Sequence, residues 1–152
     1  MFKQITETMM QAAANLSRFL EAQENTYSSA LREIKAGKKT SHWMWFIFPQ
    51  IIGLGSTDYS IKYSIQSKRE ANAYLKHPVL GTRLIEISSA LLSLNDVSAF
   101  EIFGKPDDRK LKSCMTLFSQ VSGDEEVFNN VLAKYYNGEL DQRTIQILSE
   151  LR

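Results

Sequence analysis

The stretch VLGTRLIEISSALLSL, Val79 to Leu94, decides the fold class. Leucine or isoleucine recurs at Leu80, Leu84, Ile87, Leu91 and Leu94, the three-and-four spacing that lines one face of an α-helix. Just before it, SKREANAYLKHP (Ser67–Pro78) opens with Ser67 and Glu70 at the spacing of a capping box. Its apolar face is Ala71, Tyr74 and Leu75, and His77-Pro78 closes it, because the residue before a proline avoids the α region. Further upstream, Leu16, Phe19, Leu20 and Gln23 share a face. Tyr27, Ala30, Leu31 and Ile34 continue it until Gly37 stops the helix.

The second half repeats the pattern. Pro106-Asp107-Asp108 starts a helix through Leu111, Met115 and Phe118, its acidic residues complementing the positive end of the dipole. Asp124 suits the cap of a helix carrying Val127, Phe128, Val131, Leu132 and Tyr135, with Gly138 at its stop. Asp141 suits the cap of a last helix with Ile145, Leu148 and Leu151. Only Tyr59–Ile65, YSIKYSI, alternates as a strand does, and one strand has nothing to pair with. The chain therefore reads as all-α, a compact single-domain orthogonal bundle of about seven helices over residues 1–152, with 1–12 as a frayed extension.

Composition narrows the function classes. The 152 residues suffice for one domain with a real core, and 18 Lys+Arg against 17 Asp+Glu leave no general field for nucleic acid or anionic membranes. The basic runs KAGKK and DDRKLKS are short, so nucleic-acid binding is disfavoured. The single cysteine, Cys114, forms no internal disulfide. With no continuous apolar leader and no apolar run near 20 residues, the expectation is a cytoplasmic protein without membrane attachment. Two histidines and one cysteine, widely separated, give no zinc spacing, and nothing resembles a calcium loop. No metal or cofactor is expected.

Two segments could carry chemistry. KKTSHWMWFIFPQIIGLGS, Lys38–Ser56, places His42 and both tryptophans in four adjacent positions. With Thr40 or Ser41 as N-cap, HWMWFIF becomes a short helix that is apolar all round and hence buried, with His42 in its first turn beside Lys38 and Lys39. Helix N-termini favour anions, so this end reads as the rim of a pocket. In FGKPDDRKLKSCMTLFS, Phe103–Ser119, the residues Asp107, Lys110 and Ser113 fall along one stripe of a helix. They would bring a carboxylate, an ammonium and a hydroxyl within two turns. The bland readings are a packed core for the tryptophans and an N-cap with an i,i+3 ion pair for Asp107 and Lys110.

The words of this sequence also resemble a known family. AQENTYSSALREIKAGKKTSHWMWFIFPQIIGLGS, YSI…EANAYLKHPVLGTRL, IFGKPDDRKLKSCMTLF and FNNVLAKYYNGELDQRTIQIL are similar to those of the bacterial domain of unknown function 1810 family, over about Leu16–Leu148. The resemblance implies a compact all-α domain and no established reaction. Some members carry a calpastatin label. Such inhibitors are disordered and poor in aromatics, unlike a chain with two Trp, six Tyr and eight Phe. The matching words include polar residues that a core does not need, among them Gln50, Tyr63, Arg83 and Ser113, which raises the case for a shared polar pocket.

The functional expectation is a pocket for a phosphorylated or nucleotide-like small molecule near SHWMWFIFPQ. Lys39, Arg83 and Lys110 would hold its anionic part, and Trp43 or Tyr63 would stack on a ring. Gln50 and Ser113 would complete the polar lining. If the molecule is hydrolysed, His42 or Asp107 would act as general acid–base. The alternative is a non-catalytic module whose helical faces bind a protein partner.

Overall fold

The computed structural model of the chain describes residues 15–151. Ten helices are found among them. The first, α1, covers residues 15–23, followed by α2 (Tyr27–Lys35), α3 (Met44–Ile47), α4 (Asp58–Lys62) and α5 (Lys68–Lys76). Then come α6 (Leu80–Leu92), α7 (Ala99–Phe103), α8 (Asp107–Ser119), α9 (Val127–Tyr136) and α10 (Gln142–Glu150). The expected frayed extension, residues 1–12, lies outside the described residues.

The all-α expectation holds, and the helix count rises from about seven to ten for local reasons. The face running from Leu16 to Ile34 is split by a turn at residues 24–26, so one expected helix becomes α1 and α2. Three one-turn helices, α3, α4 and α7, are shorter than a sequence period can register. The strand-like YSIKYSI is one of these. Its first part is α4, capped by Thr57, whose side chain accepts from Ser60 N–H. Its end supplies a single parallel bridge, Ile65 to Ile51.

The helix ends follow the sequence with small shifts. Gly37, at φ 79°, occupies the left-handed region just past α2 that glycine enters without strain. Asn137 does the same for α9 at φ 56°. Asp141 caps α10 by accepting from Thr144 N–H. For α9, Glu126 rather than Asp124 is the N-cap, and Glu125 accepts from Val127 N–H. Ser67 caps α5 as expected, yet Glu70 accepts from Gln66 N–H rather than Ser67 N–H, because Arg18 draws its carboxylate away at 2.7 Å.

The bundle is organised around α6 and α8. Helix α6 packs on α2, α5 and α9, while α8 packs on α5, α7, α9 and α10. On their core sides Leu80, Leu84, Ile87 and Leu91 of α6 and Leu111, Met115 and Phe118 of α8 are buried. Each such side chain contributes about 1.5–3 kcal/mol on leaving water. Cys114 sits among them, fully buried, and burial pushes its thiol well up. Between α5 and α6 the backbones touch. A Cβ on Gly81 would stand 1.9 Å from the carbonyl oxygen of Leu75.

Candidate functional site

The aromatic word SHWMWFIFPQ forms α3 together with the extended chain around it. Trp43, not Thr40 or Ser41, is the N-cap, and His42 lies before the helix, exposed to solvent. The reason is Glu33, in the last turn of α2. Its carboxylate accepts from Thr40 N–H at 2.6 Å, from Ser41 N–H at 2.9 Å and from the indole N–H of Trp43 at 3.0 Å. Burial alone pushes this carboxyl up. The donors of Thr40, Ser41 and Trp43 outweigh that and hold it down to about 2. The anion expected at this end of the aromatic segment is therefore a side chain of the protein itself.

One residue before Thr40, Lys39 turns the other way. Its backbone N–H donates to Ile102 carbonyl at 2.8 Å, which ties the segment to α7. Its ammonium reaches Asp107 at 2.9 Å with only 9% of the side chain exposed, and lies 5.1 Å from the centre of the Trp43 ring. Asp107 is the first residue of α8. Lys110, one turn later, reaches the other oxygen of the same carboxylate at 3.5 Å. The Lys110 ammonium also stands 5.0 Å from the Trp45 ring centre. Trp45 stacks on Tyr59 of α4 at 5.4 Å, and Tyr59 stacks on Tyr63 at 6.2 Å.

The structure thus brings Lys39, Trp43, Asp107 and Lys110 together, with Trp45, Tyr59 and Tyr63 extending the cluster as a row of rings. Lys39 also lines an open cleft of about 630 Å³ between residues 36–39 and α7, with Phe100 on its wall. Trp43 is fully buried and offers no free face to a ligand; Tyr63 is buried also, packed edge-on against Phe46. Tyr59, 59% exposed, is the most exposed ring of the row.

A family model described as "Protein of unknown function (DUF1810)" matches residues 13–148. The chain belongs to the DUF1810 family. Among solved structures, this DUF1810 chain is similar to the conserved hypothetical protein Rv1873 from Mycobacterium tuberculosis. The two are 47% identical and superpose with a TM-score of 0.87, over 89% of this chain and 96% of that one. No curated protein matches.

Other candidates of the DUF1810 chain lie elsewhere. Arg83 belongs to a second network: its guanidinium donates to the side-chain oxygen of Gln23 at 3.3 Å and covers the Tyr27 ring at 5.1 Å. Gln23, almost fully buried, donates to the carbonyl of Phe46 at 2.7 Å and to the Tyr74 hydroxyl at 3.0 Å. This ties α1, α3 and α5 together. Tyr27 donates to Glu86 at 2.5 Å, and burial, then that carboxylate, raise its phenol. Ser113 leaves the Asp107 stripe and donates to Asp141 at 2.9 Å, fixing α10 against α8. Gln50 contributes its carbonyl to Ile65 N–H at 2.8 Å. His77 accepts at Nδ1 from the N–H groups of Val79 and Leu80, a structural cap for α6.

Two participants escaped the sequence. Glu33 sits near a helix C-terminus, where the dipole disfavours a carboxylate, and that misplacement was the available signal of a partner. Tyr59 was hidden by the strand-like reading of its segment. Among the described residues no group of three or more His, Cys, Asp or Glu is placed to hold a metal. None of their helices is long and apolar enough to cross a membrane.

Proposed function

We propose that the chain binds a small anionic molecule bearing a flat ring, a nucleotide-like or phosphorylated metabolite, at the face where α3, α4 and the start of α8 meet. The observation that supports this reading is the sharing of Asp107. Two ammonium groups face one carboxylate, so a positive charge is left over beside the stacked Trp45 and Tyr59. An anion on Lys110 would place an attached ring against Tyr59. Releasing Lys110 from Asp107 costs little, because partly exposed ion pairs are worth about 0–1 kcal/mol. A cytoplasmic setting goes with this reading, since the only cysteine is unpaired. For hydrolysis, His42 or Asp107 would have to serve as general acid–base, and Asp107 is already engaged by Lys39 and Lys110 while His42 is exposed outside the helix. Binding is therefore the stronger form of the proposal.

The test is thermal unfolding of wild type, Lys110→Met and Tyr59→Ala with nucleoside mono- and diphosphates and ADP-ribose. At about 100 times its dissociation constant a ligand adds about 2.7 kcal/mol, a shift of several degrees. The shift is expected in wild type and lost in both equally folded variants. An unchanged shift in Lys110→Met would overturn the placement. A second reading, a protein-interaction module, is favoured by Tyr59 and Ile61, 59% and 50% exposed on the same short α4. Silence across the panel, together with self-association or partner capture that Ile61→Ser abolishes, would select it.

A further inference from the structure

Helix α8 begins at the Lys39–Asp107–Lys110 cluster and ends, about 20 Å away by helix rise, at a second cleft. This one, about 520 Å³, lies between the first turn of α5 and the end of α8 and is lined by Lys68, Arg69, Asn72, Gln120 and Val121. Among the described residues no carboxylate lines it. The side chains of Lys68, Arg69 and Asn72 make no hydrogen bond or ion pair with any described residue, and the side-chain amide of Gln120 donates only to the neighbouring Ser119 hydroxyl at 3.1 Å. The acid nearest in sequence, Glu70, is committed to Arg18 and to Gln66 N–H.

Both cations stand where α5 does not want them. The first turn carries the positive end of the dipole, and a cation there costs about 0.3–1 kcal/mol. The negative end of α8 does not account for them either, because its last carbonyls are already satisfied. Leu117 accepts from Gln120 N–H and Phe118 from Val121 N–H, while the Ser119 and Ser122 hydroxyls donate to the carbonyls of Thr116 and Ser119. A guanidinium, an ammonium and two amides therefore line one open cleft, with two solvent-exposed positive charges that no described carboxylate pairs. Arginine's planar fork matches a phosphate bidentately, and amides suit hydroxyl groups. With no aromatic ring among the described residues of the lining, a nucleobase would find nothing there to stack on.

We propose that this cleft is a second binding site, for the phosphate of a small polyhydroxylated molecule, a sugar phosphate rather than a nucleotide. Lys68 and Arg69 take the phosphate, and Asn72 and Gln120 take hydroxyls. The site is independent of the ring-binding face proposed above.

The experiment is a titration of ¹⁵N-labelled full chain with glucose 6-phosphate, inorganic phosphate, glucose and AMP, followed by amide chemical shifts. The protein is used as wild type, as Lys110→Met and as the double variant Lys68→Gln/Arg69→Gln. Glucose 6-phosphate is expected to perturb residues 67–72 and 119–122 saturably, in wild type and in Lys110→Met alike. It should bind about tenfold more tightly than inorganic phosphate, equivalent to about 1.4 kcal/mol. The double variant, folded by its spectrum, should lose the response at least tenfold. Perturbation that persists in the double variant, or inorganic phosphate binding as tightly as glucose 6-phosphate, would overturn the proposal. So would tighter binding of AMP at these residues. A response lost in Lys110→Met but kept in the double variant would assign the ligand to the other face and sink this one alone.

Discussion

Two carboxylates flank the segment that leads into α3, and they are used in opposite ways. Glu33 is filled by neutral N–H donors of its own chain, two backbone and one indole. Asp107 is shared by two ammonium groups, one of them nearly buried. The first arrangement closes a site: the donors that would have met a ligand are occupied, and the carboxylate holds its loop in shape. The second leaves charge over, and a ligand can compete for it. The tryptophans divide along the same line. Trp43, bonded to Glu33, is core, whereas Trp45, under Lys110, backs onto the exposed ring of Tyr59.

Removing the closed side should hurt most. Trp43→Ala should cost about 3–5 kcal/mol in chemical denaturation, as expected for deleting a buried tryptophan. Trp45→Ala, partly exposed, should cost clearly less; equal losses would erase the distinction between the two rings. Next comes Glu33→Ala, which strands two backbone N–H groups and an indole N–H and should cost about 1–3 kcal/mol. Glu33 also sets a pH signature. Its carboxyl is lower in the folded chain than its usual 4.5, so its contribution is complete above that value. It fades as pH falls from about 4.5 toward about 2. Unfolding midpoints measured across that window should drop less steeply in Glu33→Gln than in wild type.

The open side should give small stability changes and large binding changes. Lys110→Met should alter stability by less than about 1 kcal/mol while abolishing the ligand-dependent shift. Smallest of all is His42→Ala, within about 0.5 kcal/mol by the same denaturation measurement, because the imidazole is exposed and takes no partner among the described residues. A loss above 1 kcal/mol would mean that His42 supports the loop after all.

The two sides also differed in how far the sequence revealed them. Long periodic helices such as α6 and α8 were legible because each repeats its apolar face over three turns. The stripe Asp107–Lys110 was legible because its partners lie one turn apart on the same helix. What brings Lys39 to Asp107 is a long-range tie, its own N–H to Ile102, which no local pattern records. Glu33 defeated the reading of His42 for the same reason, reaching across the Gly37 turn to the N–H groups of Thr40 and Ser41 and holding both outside the helix. Arg83 reads from the sequence as a polar residue of a shared pocket. Its partner Gln23 lies 60 positions away, and places it in the network joining α1, α3 and α5 instead.

The buried thiol of Cys114 has a practical consequence. It is the only cysteine of the chain and is shut inside the α8 core with its pKa raised, so a thiol reagent reaches it only when that core opens. The speed at which such a reagent labels the native protein is a built-in clock for those openings. No probe has to be engineered to read how often the helix beneath both proposed sites comes loose.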